Sequence, residues 1–308
     1  MWKTALFLVF SLIIVTILAF LFDDPISPLQ KTSLIKLIQI YLVMAFASFV
    51  VSAISNNYSQ VDKLWSVMPI IYSWIIYWDS SFDSRVLLMS ILVTIWGLRL
   101  SYNFSRHGGY SFKFWEGKED YRWAIVRSRP EFQNKWKWQT FNLLFISFYQ
   151  MGLILLFTLP IIKSMEGKPL FWADYLIAGL FILFIVLETI ADQQQWNYQK
   201  EKHSKQSKQS INGVNVNDKG FAHKGLWGIV RHPNYASEQA IWLIFYLFSI
   251  AATGNWINWS IIGSLLLILL FKGSSDLSET ISASKYPEYK DYINEVPRFV
   301  PHLRKSKR

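Results

Sequence analysis

Apolar residues in this chain come in long unbroken blocks. They follow neither the spacing of an amphipathic helix nor the alternation of a half-buried strand. The blocks cover roughly residues 4–22, 35–55, 64–78, 86–104, 139–162, 169–191, 235–252 and 255–271. Most reach the ~20 residues that a helix needs to cross a bilayer's hydrocarbon core. The third and the last are shorter, as tilted partners or re-entrant pieces would be. A backbone in hydrocarbon must satisfy its own polar groups; a helix does so alone, whereas strands need a closed barrel of alternating segments about ten residues long. The expected fold is therefore all-α, a polytopic helical membrane protein with about 7–8 transmembrane helices and a cytoplasmic C-terminal tail.

Lys3 precedes the first block, as in a secretory leader. That block is long, ends in LFDD and lacks a small-x-small cleavage pattern, so a retained helix is expected. Between the blocks, KHSKQSKQSING (202–213) reads as a solvated polar loop. The tail from Lys272 reads as a lid with short helices. Trp and Tyr gather near block ends (Trp74, Tyr77, Trp78, Trp256), as interfacial belts do.

Charge adds sidedness. The 308-residue chain carries a formal net charge of +10, crowded into 105–138, 192–234 and the closing RKSKR. The connections near 23–34, 79–84, 163–168 and 253–254 hold few basic residues. With eight crossings, every basic segment falls on one side, and the positive-inside rule places both termini and the large basic loops in the cytoplasm. The basic excess is thus topological, and no nucleic-acid partner is expected. There is no cysteine, hence no disulfide or thiolate site, and the five histidines show no HxxxH or HExxH spacing. No GxGxxG or GxxxxGK[ST] occurs, which excludes a Rossmann or P-loop domain.

Candidate chemistry gathers at GLWGIVRHPNYASE (225–238). Pro233 suits the first position of a helix, where its missing N–H costs nothing. Arg231 and His232 then stand at the helix N-terminus, a setting suited to phosphate. Asn234 and Glu238, four apart on one face, suit an amide or a ribose hydroxyl, with Tyr235 between them. Interfacial anchoring to headgroups explains the same residues without a ligand. Upstream, Glu188 and Asp192 repeat the four-residue spacing, and like charges so placed need neutralising or hydrating. Polar groups in membrane helices usually face a cavity or a partner. Asp62, in SQVDKLW, either pairs with Arg99 to close the bundle or lines the same pocket. Arg122, in EDYRW, is a solvated charge or a phosphate contact.

These stretches, with ADQQQWNYQ, YPEYKDYINEVPRFVP, VDKLW and WGLRLSYN, resemble the steroid 5α-reductase C-terminal domain superfamily, most closely its bacterial membrane branch. The resemblance implies a helical membrane reductase that takes NADPH from the cytosolic side. It gives Asn234 and Glu238 the cofactor-holding positions, with Asp192 as the acid of the preceding helix. Glu188 stands where 5α-reductases have asparagine, and Ser237 replaces a glycine. On the substrate side it aligns Asp62 with a catalytic glutamate and puts Trp96 where a tyrosine belongs, with Tyr102 as a nearby phenol. It also implies a division into substrate-side helices (1–105) and a cofactor-binding membrane domain (106–308), a lipid substrate from the bilayer, and residence in a bacterial inner membrane. The expected activity is NADPH-dependent reduction of a conjugated double bond in a steroid- or isoprenoid-like enone. The rival readings are an S-adenosylmethionine-dependent membrane methyltransferase and a non-enzymatic transporter or structural protein. The sequence does not determine oligomeric state.

Overall fold

The computed structural model describes residues 2–212 and 219–301, except for the side chains of His203 and 205–212. The closing RKSKR lies outside the described residues. Every regular element among those residues is helical. Contacts divide the chain into two units, 1–181 with 242–268 and 182–241 with 269–308. This differs from a division at residue 105. The traverse at 135–163 packs among the N-terminal helices, where Asn142 and Ser52 exchange side-chain hydrogen bonds and Gln30 donates to the Met165 carbonyl at 3.4 Å.

Seven helical segments among the described residues are long and apolar enough to cross a membrane: Trp2–Leu21, Pro28–Ser55, Ser84–Arg106, Lys135–Lys163, Trp172–Lys202, Pro233–Thr253 and Trp259–Lys285. In the first unit, α1 (Trp2–Leu21) and α2 (Pro28–Ser55) are followed by two short helices, α3 (Gln60–Trp65) and α4 (Met68–Asp79), in place of one third span. Pro69, in the first turn of α4, lacks the N–H that a continuous helix would use, so the chain breaks before it. Side-chain hydrogen bonds tie α3 to residues 110–123, and its Trp65 ring meets Phe157 at 5.8 Å. Lys63 reaches the Phe114 carbonyl at 2.9 Å, Gln60 the Trp115 carbonyl at 3.1 Å, and Tyr110 donates to Lys63 O. From there α4 runs back along α2 until Asp79 accepts from Ser33 and Lys36, near the start of α2. The chain thus returns to the end it left, and α5 (Ser84–Arg106) starts from that end.

The four basic-poor connections meet there. Asp23 binds Lys163 at 3.1 Å and the Trp259 amide at 2.7 Å, and Asp24 accepts from Asn255. Arg85 holds Asp174 through two nitrogens, and the Lys168 amide donates to Ala252 O. At the opposite end, Tyr58 N binds Glu119 and Asn57 binds Gly117 O. The grouping expected from charge is therefore present within this unit. Its axis is the run α7 (Lys135–Phe141), a π-helical segment (Asn142–Tyr149), α8 (Gln150–Thr158) and α9 (Pro160–Lys163). The most apolar 18-residue window of this run is 94% buried, against 11% in α1, so the former is the core and the latter the lipid-facing rim.

In the second unit, α10 (Trp172–Asn212) continues from the first without a break. The backbone of 202–212, expected as a loop, is helical; its Lys, Gln and Ser residues propagate a helix, and no glycine or proline interrupts before Gly213. After a 3-10 turn at Gly225–Gly228, α11 (Pro233–Thr253) begins at Pro233 as expected. The last long helix, α12 (Ile262–Lys285), runs fourteen residues past the apolar block that predicted it, 285 against 271. A short α13 (Tyr289–Glu295) follows, and Phe221, Tyr289, Tyr292 and Val296 form a small aromatic core beside it.

Candidate functional site

The start of α11 is held by two backbone hydrogen bonds and by the side chains of Arg231 and His232. The Arg231 and His232 amides donate to Pro297 O and Arg298 O at 2.8 and 3.1 Å, so the closing RFVP segment lies along them as a strap. The Arg231 side chain binds Glu279 of α12 through Nε at 2.8 Å, and its Nη1 donates to the carbonyls of Ile293 and Val296. His232 Nε2 lies 2.9 Å from the same carboxylate, and Arg298 reaches it through Nη2 at 2.7 Å and Asp276 through Nη1 at 2.7 Å. Glu279 thus anchors three basic side chains while almost fully buried. The sequence reading missed it, although its signal was present: an acid one helical turn beyond Asp276, in the polar half of a helix whose first half is apolar.

Arg231 and His232, expected at a phosphate, are therefore both engaged with Glu279, and the His232 ring also stacks on Tyr235 at 5.4 Å and 9°. Tyr235 in turn packs on Phe271.

One turn inward, Asn234 Nδ2 donates to Asp192 Oδ1 at 3.3 Å, and Asn234 Oδ1 accepts from the Tyr235 amide. Glu188, Asp192 and Glu238 are all buried, which is unusual for carboxylates that have no bilayer-spanning reason to be there. The Ser237 hydroxyl turns back onto Pro233 O at 2.9 Å and so is spent on its own helix. The GLWG turn docks against the same stretch of α10. Trp227 Nε1 donates to Ala191 O, and the Leu226 amide donates to Gln194. Gly225 has a left-handed backbone, and a Cβ there would lie 2.6 Å from the Gln194 side chain, so only glycine permits the approach.

The substrate-side residues Asp62, Trp96 and Tyr102 all belong to the first unit. Trp96 is fully buried (0% exposed), packed edge-on against Trp242 at 4.8 Å, whose ring also meets Phe157 at 4.1 Å. It is an aromatic core residue. Tyr102 is 69% exposed, with the Arg106 guanidinium 5.9 Å from its ring. Asp62 accepts from Trp123 Nε1 at 3.3 Å. Burial and the neighbouring Asp120 carboxylate push the Asp62 carboxyl above its usual range, against the opposing pull of Ser59, Arg122 and Trp123. Arg122 is folded onto Asp120, with contacts at 2.6–3.0 Å. Trp123, overlooked in EDYRW beside the more obvious arginine, donates to Asp62.

Among the described residues no group of three His, Cys, Asp or Glu side chains could hold a metal ion. In comparisons with known proteins, residues 48–296 match the family described as a protein of unknown function, DUF1295. The chain is 36% identical over 265 residues to an uncharacterised protein of Schizosaccharomyces pombe, covering 82% of this chain and 75% of the relative. No solved structure matches.

Proposed function

The chain belongs to the DUF1295 family, and from that premise and the geometry of the second unit we propose an NADPH-dependent reductase of a conjugated carbon–carbon double bond in a lipid, in the manner of the 5α-reductases. The observation that carries this reading is the Asn234–Asp192 hydrogen bond, which links α11 to α10 where Glu188 and Glu238 are also buried. Carboxylates accept hydrogen bonds, and the ribose hydroxyls and carboxamide N–H of a nicotinamide nucleotide donate them. The acids therefore fit the sugar and amide parts of the cofactor. Its phosphates need donors instead; Lys200, exposed beside the Trp196 ring, is a candidate in this unit, while Lys202 is bound to Gly220 O and Tyr286. The Glu279 cluster has a positioning role: it fixes the first turn of α11 and hence the direction of Asn234 and Glu238. Bound NADPH would supply a hydride to the β-carbon of the enone, leaving NADP⁺, and a proton at the α-carbon completes the saturation. For the first unit, Asp62 is the acid whose surroundings favour the protonated form.

One observation favours a second reading. Three buried carboxylates on two helices suit a cationic ligand, and S-adenosylmethionine carries both a sulfonium and an ammonium. Binding of NADPH, NADH and S-adenosylmethionine to purified protein separates the two, with Asn234→Ala and Glu238→Ala alongside. The reductase reading expects saturable NADPH binding that falls in both variants. Binding of S-adenosylmethionine alone would replace it with a methyltransferase, and binding of none would favour a transporter or structural protein. The cytoplasmic placement of the basic loops and a bacterial inner membrane remain part of this proposal; the relative quoted above is fungal.

A further inference from the structure

Residues 108–118 leave the end of α5 and return on themselves as a narrow-necked loop. The Lys118 amide donates to Gly108 O at 2.8 Å, and the Gly109 amide to Phe104 O. Gly117 has a φ of 115°, and a Cβ there would lie 2.3 Å from Gly109 O, so only glycine lets the neck close. Beyond the neck, α3 takes up three successive carbonyls: Lys63 binds those of Phe114 and Glu116, and Gln60 binds that of Trp115. The backbone is thus spent inward while the side chains stay outside. Phe112 is fully exposed, Phe114 is 65% exposed and Trp115 43%. Lys113, between the two phenylalanines, and Lys118 are exposed as well. Clustered exposed rings mark an interaction surface, and this one begins where a membrane-spanning length of helix ends, at Arg106.

The same pattern recurs on α7, where Lys135, Trp136 and Lys137 are consecutive and exposed. Tyr58 ties the two elements to one end of the unit: its amide binds Glu119 and its hydroxyl accepts from Gln139 at 3.4 Å. Residues 105–138 hold eight Lys and Arg against four Asp and Glu. The four connections at the other end hold three Lys against five Asp and Glu. That end also exposes aromatic rings, Trp78, Phe82 and Trp256, but without interleaved cations. Partial burial, then the Arg106 and Lys118 charges, hold the His107 imidazole below its ordinary value, so the two cations converge on it. An anion would relieve that repulsion.

We propose that the 108–118 loop and the start of α7 form an interfacial foot that seats on acidic phospholipid of the protein's own bilayer. Phe112, Phe114, Trp115 and Trp136 enter the boundary between headgroups and acyl chains, and Arg106, Lys118, Lys135 and Lys137 meet headgroup phosphates. Aromatic rings favour that depth, and lysines at the surface of an acidic leaflet each add to the attraction. A protein partner could cover the rings too. Rings interleaved with cations on two separate elements, beside the end of a span, match a continuous anionic surface better. None of these residues is used by the proposed nucleotide site.

The test uses the absence of cysteine: Ser111→Cys carries an environment-sensitive fluorophore without background. The full-length protein is placed in nanodiscs of phosphatidylcholine and of an equal mixture with phosphatidylglycerol, with and without lipid bearing a quencher at a shallow acyl position. Emission should shift to the blue, and quenching should rise, in the acidic nanodiscs. Adding Lys113→Gln and Lys118→Gln should lower the apparent affinity for acidic lipid about fivefold per lysine. Salt at about 1 M, where the Debye length is about 3 Å, should act in the same direction. Phe112→Ser with Phe114→Ser should return the fluorophore to water. All four side chains are exposed, so the melting temperature should not change, which separates lost lipid contact from lost fold. The same fluorophore on Ser81→Cys, at the other end, should not respond to lipid charge. A loop probe that stays in water in both nanodiscs would overturn the proposal and leave the rings to a protein partner. Equal insertion in both lipids, or equal dependence on lipid charge at the two ends, would overturn it as well. NADPH binding measured on the same samples reports separately on the reductase reading.

Discussion

At the scale of single residues, Asp62 and its neighbour Asp120 behave oppositely with pH. Asp62 has its folded-state pKa raised above the ordinary carboxylate value, so over the interval between the two the folded chain holds a proton that the unfolded chain has lost. Stability contributed by Asp62 is present below that interval and declines as pH rises through it. Asp62→Asn stays neutral throughout and should melt above the wild type at neutral pH, the difference closing as pH falls toward 4. Burial raises Asp120, but the Arg122 guanidinium more than offsets this and holds the carboxyl below its usual range. Its contribution is present above the ordinary value and is lost only as pH falls through the lowered one. The melting curves of Asp62→Asn and Asp120→Asn against pH therefore diverge from wild type in different windows. Asn234→Ala removes the donor to buried Asp192; it should cost about 1–3 kcal/mol of stability and weaken nucleotide binding more than it changes the fold.

At the scale of elements, close helix approaches and buried ion pairs locate the joints. A Cβ on Gly263 of α12 would sit 2.1 Å from the backbone of Leu156 and Phe157, so Gly263→Ala must push α12 off α8, at about 1–3 kcal/mol or more by thermal unfolding. Arg85 and Asp174 are both buried and joined at 2.7 and 2.9 Å. Removing one partner, as in Asp174→Ala, should cost about 3–5 kcal/mol, whereas replacing both by apolar residues of similar volume should cost much less. In the second unit, Glu279→Gln leaves Arg231 and Arg298 facing a neutral amide. Limited proteolysis should then cut near the 296–299 strap in the variant under conditions that leave the wild type whole.

At the scale of the whole molecule, the prediction is about sidedness. The chain has no cysteine, so single cysteines introduced at Glu166 or Ser81 at one end, and at Lys113 or Trp136 at the other, can be labelled without background. Within each pair an impermeant thiol reagent should react from the same face of the membrane, and the two pairs should react from opposite faces. Labelling of Ser81→Cys from the same face as Lys113→Cys would show that the chain does not come back between α2 and α5. The basic pair should face the cytoplasm if the positive-inside rule governs this protein.

Residue types alone determined that the chain is helical and crosses a membrane, because an apolar run of about 20 residues has few other stable states. They also gave the grouping of the basic-poor connections within the first unit and the start of α11, where Pro233 lacks the N–H that a helix interior requires. The four-residue spacing set Asn234 and Glu238 on one face of α11, and Glu188 and Asp192 on one face of α10. Other features depended on which distant segments meet, and no local spacing records that. Glu279 as the anchor of Arg231, His232 and Arg298, the Trp123–Asp62 hydrogen bond, and the packing of Trp96 against Trp242 are of this kind. A side chain's type limits the bonds it can make, but only tertiary packing selects the partner.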